Sequence, residues 1–234
     1  MGRAFEFRRS RKEKRWGKMA VAFTKLSKEI TLAAKKGSSD PESNLRLRVA
    51  IDAARGVNMP KDKIEAAIKR ATSKETQLEE LVYEGYGPHG IAIVVEAATD
   101  NPTRTVGNIR SYFTHAGGTL ATTGSLDFLF ERKGVFRFEA SNHNLEELEL
   151  ELIDYGAEEF VVENGEVYVY TGFNDFAAMQ KVLEQKGIRP ATAETQRIPI
   201  SAMELPENKT QEVNALIEKL EEDEDVQAVY HNMK

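Results

Sequence analysis

Three sets of residues in this chain have types and spacings that could do chemistry. Gly85-Tyr86-Gly87-Pro88-His89-Gly90 spells G-x-G-x-x-G, the pattern that cradles a pyrophosphate where a strand turns into a helix. Here the glycines lead into the apolar run 91–95, which reads as a strand, and Pro88 lacks a backbone N–H. The stretch is therefore read as a connection between strands that uses glycine's access to positive φ; close approach of a polymer backbone is the remaining ligand reading. The second set is the histidines, His89, His115, His143 and His231. None stands at metal-ligand spacing to another, and no cysteine is present to complete a zinc site. His115 with Asp100 is the one pairing from which a hydrolase could be built, but no nucleophile-elbow pattern accompanies it. No catalytic residue, metal site or cofactor is assigned. The third set is cationic: Arg3, Arg8, Arg9, Arg11, Lys12, Lys14, Arg15 and Lys18 crowd the start against only Glu6 and Glu13. Their chemistry is phosphate recognition.

That cluster belongs to a wider asymmetry. The chain carries a net charge of −6, yet residues 1–75 hold 20 Lys and Arg against 9 Asp and Glu. The remainder is correspondingly acidic, so half of the chain attracts polyanions and half repels them. With 41% hydrophobic and 30% charged residues, the 234-residue chain has the composition of an ordinary globular protein with room for two or three domains. No apolar run reaches a membrane span, and no disulfide can form without cysteine, which together point to the cytoplasm. A mitochondrial transit peptide is the alternative reading of the Arg-rich start, against which stand its two glutamates and single serine.

The elements that position these residues follow from periodicity. Residues 1–19 have little apolar surface beyond Phe5, Phe7 and Trp16 and are expected to form a solvated, extended arm. Trp16 is read as its anchor on the first helix or as a base-stacking platform. Three helices follow over 20–76. The first has Phe23, Leu26, Ile30 and Ala33 inward and the second opens at Asp40-Pro41; the third, after Pro60, buries Ile64, Ala67 and Ile68. Their outward faces carry Lys25, Lys28, Arg46, Arg48, Arg55, Lys61, Lys69 and Arg70. Strands are then expected at 81–83, 91–95 and 126–130, with a helix opened by Asp100-Asn101-Pro102. Arg104 in its first turn opposes the helix dipole, which a bound phosphate would explain. Residues 134–201 repeat β-α-β-β-α-β, the ferredoxin-like order. A last helix and strand after Pro206 have no sheet of their own, so they are assigned to the segment 77–133, with 134–201 inserted. The acidic run 221–225 is read as a solvated helix end. The fold class is thus α+β and multidomain: a basic arm (1–19), a three-helix bundle (20–76) and two ferredoxin-like α/β domains, one discontinuous (77–133 with 202–234) and the other inserted in it (134–201).

The stretches FTKLSKEI, DPESNLRLRVAIDAARGVNMPKDKIEAAIKRAT, YEGYGPHGIAIVVE, TDNPTRTVGNIRSYFTHAGG and GSLDFLFERKG cover most of residues 20–134. They resemble the YebC family, also called PmpR in part. The resemblance implies a helical N-terminal domain, two α/β domains with one inserted in the other, and a cytoplasmic, non-enzymatic role in gene expression. Bacterial members are described as DNA-binding transcriptional regulators, and a mitochondrial branch activates translation of cytochrome oxidase at the ribosome. Members usually begin close to AGHSKWxNIKHRK, whereas this chain reads GRAFEFRRSRKEK. The basic character is kept and the wording is not.

The expectation is a nucleic-acid-binding regulator that contacts ribosomal RNA, and with it the ribosome. The alternatives are a sequence-specific DNA-binding regulator, and a protein-interaction or small-ligand module. The arm residues named above, with Arg46, Arg48, Lys69, Arg70 and Arg104, form the expected binding set; no membrane partner is implied, and the oligomeric state is left open.

Overall fold

The computed structural model describes residues 3–73, 78–140 and 144–234, with side chains from Met19 onward. His143 and the side chains of Phe5, Phe7, Trp16 and the arm cations lie outside what is described. The chain folds as two compact units, 1–126 with 202–234 and 127–201.

The first unit starts with α1 (Arg3–Lys36), a single helix of 34 residues. The expected extended arm is thus corrected at the level of the backbone: residues 3–18 continue the helix. At 1.5 Å per residue α1 is about 50 Å long. It packs on α2 (Leu45–Gly56) and α3 (Lys61–Ala71) around Ile30, Ala33, Leu47, Ile51, Ile64 and Ala67. The second helix starts later than Asp40. Asn44 is its N-cap, accepting from the Leu47 N–H at 3.1 Å while its amide donates to the carbonyls of Ala33 and Ser38. One side chain thereby closes α1 and opens α2, whereas the Asp40 carboxylate accepts from the Glu42 N–H within the preceding turn. Inside the bundle, the buried Thr31 hydroxyl bonds the Ala67 carbonyl and ties α1 to α3.

Beyond the bundle come β1 (Glu79–Tyr86), β2 (Ala92–Thr99), α4 (Pro102–His115) and the short β3 (Thr119–Leu120). The antiparallel sheet has the order β3-β1-β2-β8, where β8 (Val226–His231) follows α7 (Glu207–Glu221) at the far end of the chain. The helices α4 and α7 cover one face over Ile93, Val95, Ile109, Phe113, Val213 and Leu216. Leu32 of α1 packs with Leu78 and Ala98, which joins the bundle to the sheet.

The strand expected at 126–130 does not form in this sheet. Residues Asp127–Leu129 make one 3-10 turn, and Phe130 begins β4 (Phe130–Glu139) of the other unit. The buried Glu84 carboxylate accepts the N–H groups of Gly124 and Leu126, each at 2.7 Å, and draws that loop onto β1. The alternation Leu126, Phe128, Phe130 therefore spans a loop and the start of a new strand.

In the second unit, β4, α5 (Leu145–Ile153), β5 (Ala157–Glu163), β6 (Glu166–Gly172), α6 (Phe176–Gln185) and β7 (Thr192–Pro199) form a sheet of order β5-β6-β4-β7. This is the ferredoxin-like arrangement. Asn164 and Gly165, both at positive φ, turn β5 into β6. Phe136 stacks on Phe176 at 4.7 Å between ring centroids, which places α6 on the face that also carries Val167 and Val169. No helix among the described residues is long and apolar enough to cross a membrane.

Glu84→Ala leaves the buried Leu126 N–H and the more exposed Gly124 N–H without this acceptor; the buried loss costs about 1–3 kcal/mol and the other less. Equilibrium urea unfolding should show the variant destabilised by about 2–4 kcal/mol, with helix content by circular dichroism unchanged in the absence of denaturant.

Candidate nucleic-acid interface

The cations of the bundle fall into two classes. The first class is already engaged. Lys25 Nζ donates to the Glu221 carbonyl at 2.6 Å, and Lys28 Nζ donates to the Glu224 carbonyl at 2.9 Å and to the Asp225 carboxylate. Arg46 grips Glu29 through Nε and Nη2, at 2.7 and 3.2 Å, and reaches Glu80 at 3.0 Å; Lys36 pairs with the same Glu80. Burial works against the charge on Arg46, and the bonds to Glu29 and Glu80 more than compensate, raising its pKa. The expected outward display of Lys25, Lys28 and Arg46 is thus corrected: the three side chains join the bundle to the α/β part of the same unit.

The second class faces solvent. Lys61, Lys63, Lys69 and Arg70 are exposed on α3, and Arg55 is exposed at the end of α2. Arg70 makes a long 3.4 Å contact to the Ser27 hydroxyl, Arg55 pairs with Asp52, and Arg48 is half-buried. Of the expected binding set, Lys69 and Arg70 therefore share one exposed helix, while Arg46 and Arg104 are ion-paired. The residues Arg3, Arg8, Arg9, Arg11, Lys12, Lys14, Arg15 and Lys18 have their backbone in α1 and their side chains outside the described set.

Arg104 has its anion from within the chain. Asn101 caps α4 by accepting from the Arg104 N–H at 3.0 Å. The guanidinium then reaches Asp100 at 2.9 Å and Asp225 at 3.0 Å. Asp225 is 4% exposed and also accepts from the hydroxyls of Thr105, at 2.7 Å, and Thr99, at 3.2 Å. A buried carboxylate thus sits at the start of α4, where the helix dipole favours it, and the cation beside it is no longer odd. The run 221–225 is a solvated helix end only in part: Glu221, Glu222 and Glu224 are exposed, whereas Asp225 is buried and Asp223 accepts from the Tyr112 hydroxyl at 2.9 Å. Burial and that carboxylate push the Tyr112 phenol up to about 12. Sequence reasoning missed Asp225 as an organising residue. Its signal was Arg104, a cation at the wrong end of a helix.

The remaining candidates resolve locally. The glycine stretch joins β1 to β2 through a 3-10 turn at Pro88–Gly90, so no helix N-terminus faces it. Gly90 does take positive φ, as does His89, which bonds Glu212 at 2.9 Å. Gly85 serves a different need: a Cβ there would lie 2.7 Å from both the Phe113 ring and the Thr119 carbonyl. Asp100 and His115 lie at opposite ends of α4, about 20 Å apart by helical rise, so the hydrolase pairing is not assembled. His115 instead bonds the Ser111 carbonyl through Nδ1 at 2.7 Å. Beside it runs an open groove of about 680 Å³ between α4 and α7, floored by Ala116, Ala215 and Leu216. Among the described residues no cluster of His, Asp and Glu could hold a metal ion.

Burial alone would raise the Asp225 pKa; hydrogen bonds from Lys28, Thr105 and Arg104 outweigh it and bring it down to about 2 from an ordinary 3.8. Because the folded value is depressed, the stabilisation is present above about pH 4 and is lost as pH falls through 2. A depression of that size is worth roughly 2 kcal/mol. Urea midpoints measured from pH 6 down to pH 2 should fall by that increment in the parent. In Asp225→Asn the same increment should be missing from the pH dependence, and the variant should be less stable at pH 6.

Two family models match the chain, one described as the TACO1/YebC protein N-terminal domain over residues 3–74 and one as the TACO1/YebC second and third domain over 78–233. The departure at the start thus falls inside the first matched region. A protein of Cytophaga hutchinsonii named "Probable transcriptional regulatory protein" is 57% identical over 234 residues, covering all of this chain and 98% of its own. One of the same name from Porphyromonas gingivalis is 54% identical over 236 residues, with the same coverage. The crystal structure of the conserved hypothetical protein Aq1575 from Aquifex aeolicus superposes with a TM-score of 0.78 at 38% identity, over 92% of this chain and 90% of that one.

Proposed function

The chain belongs to the TACO1/YebC family, and we propose that it is a non-enzymatic, cytoplasmic regulator of gene expression that binds nucleic acid and acts on translation by contacting ribosomal RNA. The observation that carries this reading is the division of its cations. In the acidic chain, residues 1–75 hold 20 Lys and Arg against 9 acids, and the cations tied to internal carboxylates lie where the bundle meets the sheet. Those on α3 remain exposed, and the start of α1 is rich in cations by sequence. Lys69 and Arg70, with Arg3, Arg8, Arg9, Arg11, Lys12, Lys14, Arg15 and Lys18, are assigned to phosphates, with Arg48 at the margin. Arg46 and Arg104 hold the bundle and α4 in place beneath them.

A helical start changes the reach of this surface. Fifteen residues span roughly 50 Å as an extended chain and about 23 Å as a helix, so α1 presents its charge as a rod rather than a thread. A rod fits the face of a structured RNA or a groove of duplex DNA. The second reading, a DNA-binding transcriptional regulator, is favoured by the names that the relatives carry.

Sedimentation of a lysate through a sucrose gradient at low salt separates the two. The protein should travel with ribosomal fractions and shift to the top of the gradient after RNase treatment; recovery on DNA with none on ribosomes reverses the assignment. For purified protein and a ribosomal RNA fragment, neutralising about six phosphates implies an affinity loss of about a thousandfold between 50 and 200 mM salt. Lys69→Glu with Arg70→Glu should weaken binding by at least about tenfold and flatten the salt slope, leaving urea stability within about 0.5 kcal/mol of the parent.

A further inference from the structure

The inserted unit has an unpartnered margin along α5 and β5. Leu150, Ile153, Tyr155, Val161 and Val162 are each 41–69% exposed there. They are five of the molecule's exposed large apolar side chains within 13 consecutive residues, where single exposed apolar groups are the norm. The helix and strand are joined by a tight turn and pack on each other, with Leu148 and Leu152 as the buried side of α5. Leu150 and Ile153, three residues apart, form a ridge on its other side.

The strand beside that ridge is an edge. In the order β5-β6-β4-β7, β5 pairs only with β6 among the described residues, so its far side offers a row of backbone groups with no strand among them to pair. Val162 stands opposite buried Val167, on the face that α6 covers, and Val161 opposite half-buried Tyr168, on the bare face. Exposed apolar side chains thus flank the edge on both sides of the sheet. A register shift disturbs the pairing only between Ala157 and Glu159, leaving regular strand from Phe160 to Glu163.

Charge decides what fits. Residues 144–165 carry eight Asp and Glu and no Lys or Arg. Cations from elsewhere answer some of them, Lys133 at Glu158 and Glu159 and Lys186 at Glu151, while Glu146, Glu149 and Glu163 remain exposed. Carboxylates on an edge strand protect it from pairing with its own copies. They also repel nucleic acid and attract a cationic chain.

We propose that this margin docks a basic, apolar-containing segment of a protein partner, which adds as a fifth strand beside β5. Backbone hydrogen bonds along the edge supply affinity, as in other strand-addition complexes. Aliphatic or aromatic residues of the segment rest on Val161, Val162 and the Leu150–Ile153 ridge, and its alternate Lys or Arg residues meet the glutamates. The nucleic-acid surface of the first unit and this margin then serve different partners on one regulator.

Fluorescence anisotropy with the full chain tests this. The probes are a labelled twelve-residue peptide alternating Lys with Val, a peptide of equal charge alternating Lys with Ser, and a labelled single-stranded RNA. The Lys–Val peptide should bind at least about tenfold tighter than the Lys–Ser peptide, a difference of about 1.4 kcal/mol. It should lose about that factor in Leu150→Gln with Val162→Thr, both exposed positions, while RNA affinity stays at the parent value. Glu159→Gln with Glu163→Gln should weaken the peptide and reduce its salt dependence. Equal binding of the two peptides would show unspecific attraction to an acidic protein and overturn the proposal. So would RNA binding that falls in the Leu150 and Val162 variant, which would make the margin a nucleic-acid site.

Discussion

One buried carboxylate holds the first unit together. Asp225 lies in the turn between α7 and β8, yet it accepts from Lys28 on α1, Thr99 at the end of β2, and Arg104 and Thr105 in the first turn of α4. Three stretches far apart in sequence, around residues 28, 99–105 and 225, meet at two oxygens. An isolated charge at that depth would be costly. Two cations, two hydroxyls and a helix N-terminus make its environment a good replacement for water. Removing the charge withdraws support from every one of these neighbours at once, because each has been placed to answer it.

The same network explains how a basic bundle stays on an acidic body without using up its charge. The contact is made by a few cations in defined pairs. Lys25 and Lys28 cover the end of α7, and Lys36 and Arg46 converge on Glu80 at the start of β1. Arg46 with Glu29 and Glu80 forms a planar, multi-bonded grip that lysine could not reproduce. The cations of α3 are exposed and meet none of these carboxylates; Lys61 pairs within its own helix with Glu65. Which cations are ion-paired and which stay exposed follows from which helix faces the sheet.

Much of this was legible in the sequence where the signal was periodic. Ile64, Ala67 and Ile68 fixed the buried side of α3, Asn164-Gly165 marked a hairpin, and β-α-β-β-α-β over 134–201 specified a ferredoxin-like unit whose strand order the structure shows. Errors arose where a long-range contact overrode a local pattern. Residues 126–130 alternate like a strand, but Glu84, some 40 residues earlier, takes the N–H groups of Gly124 and Leu126 for itself. Asp40-Pro41 has the form of a helix start, yet Asn44 can both cap α2 and bond the end of α1, and that double role wins. Within the acidic run 221–225 nothing local marks Asp225 as the buried member; the cations that meet it, Lys28 and Arg104, sit more than 120 positions away. At the candidate site, charge sign and clustering could be read, and the pairing that separates Arg46 from Lys69 could not. Pairing is a tertiary property.

Insertion of the ferredoxin-like unit into the first unit then has a physical rationale. The outer sheet, of order β3-β1-β2-β8, is complete only when β8 returns to pair with β2, so the first unit cannot close its sheet until residues 226–231 are made. Asp225 immediately precedes that strand, and its carbonyl also accepts the Ala98 N–H at 2.7 Å. At the other end, Asn232 clasps Ala92 from both sides, its side-chain oxygen accepting one N–H and its own N–H reaching the carbonyl. The residues leaving the inserted unit are tied to this strand as well, through Met203 and the Asn232 carbonyl. The returning strand thus brings the central carboxylate into place and fixes both chain crossings on the first unit, by Glu84 on the outward one and Asn232 on the way back. Formation of the bundle's seam, which needs Asp225 for Lys28, is coupled to closure of the sheet, and a chain that has not closed its sheet lacks the platform on which the cationic helices are set.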